Sequence, residues 1–116
     1  MGLLTVGSGG VPVGSYTGTF AGYEVQPENR EKGYAAGLRW NFKIDAGPHT
    51  GQMTSRITGS QPSPRNSCGK MLQGLIGRAL REGEQIDPDQ FIGKRYMLVV
   101  AASQNGGTRV EAVVAM

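Results

Sequence analysis

Residues 38–58, LRWNFKIDAGPHTGQMTSRIT, hold two strands and the turn between them. Leu38, Trp40, Phe42 and Ile44 alternate with Arg39, Asn41, Lys43 and Asp45, the period-2 pattern of a strand with one buried face and one wet face. Residues 46–51 then bring two glycines and a proline, which end a strand and let the backbone reverse. In the second strand Met53 and Ile57 share a face with Ser55, while Gln52, Thr54, Arg56 and Thr58 take the other. Burying the apolar side of both strands leaves a basic, amide- and hydroxyl-rich face made of Arg39, Asn41, Lys43, Gln52, Thr54 and Arg56. That face is the expected working surface.

Upstream, residues 15–25 read as a long first strand, with Tyr16, Gly18, Phe20 and Gly22 on one side and Thr17, Thr19, Ala21 and Tyr23 on the other. Glycines inside a strand commonly mark a bulge or a sharp bend. Residues 1–14 contain five glycines and no periodicity, so a flexible arm is expected there, followed by one domain over 15–116. Residues 26–37 form a polar connection carrying Arg30, Lys32 and Tyr34. A basic loop with an embedded aromatic can clamp bases, and it is equally the pattern of an ordinary solvated loop.

Downstream the period changes. Cys68, Met71, Leu72, Leu75, Ile76, Ala79 and Leu80 fall at helical spacing and predict one amphipathic helix. Ser63 before Pro64 is the expected N-cap, and Gly83 the expected stop. Asp87-Pro88 predicts a short helical turn that drops Phe91 and Ile92 into the core. Residues 94–102 read as a buried strand, residues 103–107 as a hairpin loop with an Asn-Gly signal, and residues 108–114 as the last strand.

A chain of 116 residues makes one domain, burying about 65% of the surface its unfolded form exposes. Nineteen glycines and six prolines favour short elements and tight turns over a helical bundle. Twelve Lys plus Arg against nine Asp plus Glu give a net charge of +3, compatible with a polyanionic partner without demanding one. Cys68 is the single cysteine, so an internal disulfide is impossible and a reducing compartment fits. The opening MGLLTVGSGG lacks a basic leader region, and no run approaches the ~18 apolar residues of a membrane-spanning helix. A cytoplasmic protein without a membrane partner is expected.

The element order is β-β-β-α-β-β, that of an OB-fold: a five-stranded Greek-key barrel with its helix between strands 3 and 4, binding ligands on strands 2 and 3 and nearby loops. The segments GSYTGTFAGYE, GLRWNFKIDAGPHTGQ, SRITG, GKMLQGLIGRAL and IDPDQFIGKRYMLVV resemble small phage and bacterial OB-fold proteins of the single-stranded DNA-binding type. The resemblance covers residues 14–114 and implies sequence-tolerant binding of single-stranded DNA or RNA in replication, recombination or repair, with a homo-oligomer allowed. The chain ends EAVVAM, unlike the acidic tip of the well-known bacterial single-strand binders, so recruitment of partners through such a tail is not expected. The other class that fits is an OB-type module for protein or carbohydrate, or a structural component.

On the OB reading Trp40 and Phe42 fill the barrel rather than stack on bases. Arg39, Asn41, Lys43, Gln52, Thr54 and Arg56 track the phosphate backbone; Tyr23 and Tyr34 offer stacking surfaces, with Arg30 and Lys32 beside them; Gln104, Asn105 and Arg109 close the groove from the far side. Enzyme readings find little. His49 is the only histidine; Ser67-Cys68-Gly69-Lys70 matches S-x-x-K without its companion motifs; residues 47–54 lack the G-K-[ST] ending of a phosphate loop. No cofactor, metal or catalytic residue is expected.

Overall fold

The computed structural model describes residues 11–28, 31, 36–63, 65–103 and 107–116. Five strands, β1 (Gly14–Gln26), β2 (Gly37–Ile44), β3 (Met53–Thr58), β4 (Arg95–Ala102) and β5 (Thr108–Ala115), form one antiparallel sheet in the order β3-β2-β1-β4-β5. One helix, α1 (Ser67–Ile76), and a 3₁₀ turn (Pro88–Phe91) lie between β3 and β4. Among the described residues the domain is therefore β-rich with a single α-helix, in the expected element order.

The expected closed barrel is not completed. Among the described residues no backbone ladder joins β3 to β5; the two edge strands approach each other, and the gap between them is bridged by a side chain. Arg56 Nη1 donates to Val110 O at 3.3 Å and to Glu111 Oε2 at 3.1 Å. Glu111 is itself the extra residue of a bulge, since Val100 pairs with Val110 and Val99 with Ala112. A bulge breaks the run of ladder bonds and re-aims a side chain. Here the bulge interrupts the β4–β5 ladder and brings Glu111 within reach of Arg56 across the seam.

The inner face of the sheet is filled by Phe20, Trp40, Phe42, Tyr96, Leu98 and Val110, capped by Cys68, Met71, Leu72 and Leu75 of α1 and by Phe91. Tyr96 is buried with its hydroxyl donating to Leu75 O at 2.8 Å, so its one polar group is satisfied. Val11 packs in a second cluster with Ile44 and Val100, and its carbonyl accepts from Thr108 Oγ1 at 2.6 Å. The segment assigned to a free arm is thus part of the core at Val11, whereas positions 1–10 lie outside the described residues.

Helix α1 is shorter than its apolar stripe suggests. Asn66, not Ser63, is the N-cap, its side chain accepting from Gly69 N at 2.8 Å. Gly77, not Gly83, ends it, in the left-handed conformation at φ 82° with its N–H donating to Gln73 O. Ala79 and Leu80 therefore follow the helix. The Asp87 cap forms as expected, with its carboxylate accepting from Asp89 N at 3.0 Å; Phe91 is buried, but Ile92 is half exposed. Strand β4 is buried on one side only, since Tyr96, Leu98 and Val100 point inward while Met97 is exposed.

Candidate nucleic-acid interface

The turn after β2 sets the faces of β3. Gly51 N donates to Ile44 O and Ile44 N to Gln52 O, so Gln52 still belongs to the turn. The ladder then pairs Lys43 with Met53, Asn41 with Ser55 and Arg39 with Ile57, while Phe42 faces Thr54, Trp40 faces Arg56 and Leu38 faces Thr58. Directly paired residues share a face of the sheet. The outer face of this hairpin is therefore Arg39, Asn41, Lys43, Met53, Ser55 and Ile57.

This corrects half of the expected surface. Arg39, Asn41 and Lys43 do point outward, but Thr54 and Arg56 lie on the inner side with Trp40 and Phe42, and Thr54 and Thr58 are buried. A one-residue offset in register carries every side chain of a strand to the opposite face. The inward placement is chemically consistent at one position: Trp40 Nε1 donates to Thr58 Oγ1 at 2.8 Å, and that hydroxyl donates to Gly59 O at 2.8 Å. Apolar side chains on β3 could not have accepted the indole N–H. The outer residues that sequence patterning misplaced are Met53 and Ile57, each nearly half exposed.

Charges on the outer face are unevenly committed. Arg39 Nη1 stands 4.0 Å from Glu24 Oε1, and Asn41 Nδ2 is 3.5 Å from the same oxygen, both loose contacts in solvent. Lys43 has no ion pair among the described residues. At the end of β2, Asp45 accepts from Thr17 Oγ1 at 2.9 Å and from Arg95 Nε at 2.9 Å. The Arg95 guanidinium, with Thr17 adding a second bond, holds the Asp45 carboxyl below its ordinary range.

Tyr23 reaches the inner side rather than the outer one. Ala21 is bulged between Phe20 and Gly22, so Tyr23 pairs with Trp40 and its ring lies 5.5 Å from the indole, partly exposed at the margin. Arg109 is on β5, bonded through Nε to Glu111 Oε2 at 3.2 Å; one carboxylate thus serves Arg56 and Arg109 together. Arg30, Lys32, Tyr34, Gln104 and Asn105 lie outside the described residues.

Cys68 is buried, and burial pushes its thiol up, the environment of an inert packing cysteine rather than a nucleophile. Among the described residues no three His, Cys, Asp or Glu side chains are grouped to hold a metal ion, and no helix is long and apolar enough to cross a membrane. Comparison of the chain with protein-family models, curated proteins and solved structures finds no match.

Proposed function

We propose that this protein is an OB-type domain that binds single-stranded nucleic acid, DNA in the first instance, without strong sequence preference, on the outer face of β2 and β3. The observation that carries the reading is the ladder that sets Arg39 opposite Ile57, Asn41 opposite Ser55 and Lys43 opposite Met53. Each row joins a group suited to a phosphate or base edge with a neighbour that suits the ligand's other parts. The cations bind phosphates by releasing condensed counterions. Ile57 and Met53 offer apolar contact to base faces, which every base presents, so recognition tolerates sequence.

Support for the OB reading comes from β1, which pairs with both β2 and β4, and from the helix placed between β3 and β4. The role is that of a binding module in replication, recombination or repair, not an enzyme. A fluorescence-anisotropy titration with oligo-dT at low and high salt tests it: affinity falls steeply as salt rises.

A protein-binding module is the second reading, favoured by Met97 and Val114, which are paired on the outer face of β4–β5 and both about half exposed. It predicts no oligo-dT binding at any salt concentration.

A further inference from the structure

Where α1 meets the gap between β3 and β5 there is a cleft of about 280 Å³ lined by Arg56, Ser67, Lys70, Met71, Glu111 and Val113. Ligand pockets for drug-sized molecules run roughly 300–1,000 Å³, so this one suits a small group. Its charge is positive on balance. Glu111 is shared between Arg56 and Arg109, at 3.1 and 3.2 Å, and Lys70, exposed on the first turn of α1, has no ion pair among the described residues.

Arg56 is held in place, its side chain only 15% exposed, and both of its hydrogen bonds to β5 run through Nη1. Its Nε and Nη2 donors take no part in them. A guanidinium fixed in this way presents a planar fork that matches two phosphate oxygens. The Ser67 hydroxyl and the Lys70 ammonium line the same cleft.

We infer that this cleft is a phosphate subsite, in which Arg56, Lys70 and Ser67 grip a backbone phosphate of single-stranded nucleic acid as the strand leaves the outer face over the edge of β3. The inference rests on the binding reading above. Ser55 and Ile57 on the outer face flank Arg56 in the chain, so the cleft lies across edge strand β3 from the outer face. A ligand confined to the outer face does not reach it; a longer one does.

The test compares Lys70→Ala, Lys70→Arg and Arg81→Ala with the unaltered chain, using oligo-dT of about six and about fifteen nucleotides, within the span covered by single OB domains. Arg81→Ala removes the same charge outside the cleft. Lys70→Ala is expected to weaken the longer oligonucleotide a few-fold and to lower its salt slope by about 0.7, the value of one single-strand phosphate contact. Lys70→Arg retains most of the affinity, and the short oligonucleotide is unaffected. If Lys70→Ala matches Arg81→Ala at both lengths, the subsite is wrong while the binding face stands. If the unaltered chain binds neither oligonucleotide, the binding face itself is wrong and the subsite falls with it.

Discussion

The indole N–H of Trp40 donates to the Thr58 hydroxyl at 2.8 Å across the β2–β3 ladder, and with Thr58 turned inward the pleat also turns Thr54 and Arg56 inward. Met53, Ser55 and Ile57 are left beside Arg39, Asn41 and Lys43. The composition of the proposed binding face follows from that register. Two buried threonines on the same strand differ in a way that tests it.

Thr58→Val leaves a buried indole donor unpaired, at a cost of about 1–3 kcal/mol, which lowers the melting temperature by roughly 4 to 12 °C for a domain of this size. Thr54 has a buried hydroxyl with no partner among the described residues, so Thr54→Val is expected to be neutral or stabilising. Thermal unfolding of the two variants checks this. Equal losses would contradict the register.

Gly74→Ala sets helix propensity against packing. Alanine is favoured over glycine in a helix interior by about 1 kcal/mol. Yet a Cβ at position 74 would lie 2.4 Å from Val113 O, a backbone atom of β5 that cannot rotate away. Overpacking of this kind costs about 1–3 kcal/mol, so the variant is expected to be less stable by denaturant unfolding. A gain in stability would mean that α1 sits farther from β5.

Two carboxylates tie stability to acid. Glu84 accepts from both terminal nitrogens of Arg78 and from Arg81 N, and the Arg78 guanidinium, with the backbone bond next, draws it down to about 2. Asp45 is lowered in the same sense by Arg95. A carboxylate with a depressed native value binds fewer protons folded than unfolded, so its contribution is complete above the ordinary value of 4.5 and lost as pH falls toward 2. Glu84→Gln should therefore melt below the unaltered protein near about pH 6, with the difference shrinking as pH falls through about 2 and vanishing below it. The ion pair is at the surface, so added salt shrinks that difference too. A difference that persists at the acid end would contradict the pairing.

Alternation made β2 legible: Trp40, Phe42 and Ile44 are fully buried and the intervening residues point outward. The same rule misplaced β3, because it takes apolar residues as inward and threonine as outward. Thr54 and Thr58 are β-branched and fill the core as valines would, while Met53 and Ile57 are left outside. The cue within the sequence was the turn, whose length decides whether Gln52 or Met53 opens the strand, and turn length is not encoded in periodicity. The apolar stripe overstates the length of helix α1 for a related reason. Its apolar stripe continues to Leu80, but Gly77 adopts a left-handed cap that breaks the chain's helical path. Tyr23 faces inward, against simple alternation, because the bulge at Ala21 reverses the pattern beyond it.

The binding face is tested most directly by Arg39→Ala combined with Lys43→Ala, two exposed substitutions expected to leave the melting temperature within a few degrees. Oligo-dT affinity measured across a salt series should fall, with the slope of log affinity against log salt reduced by about 1.4 for two lost single-strand phosphate contacts. An unchanged slope and affinity in the double variant would contradict the assignment of nucleic-acid binding to the outer face of β2 and β3.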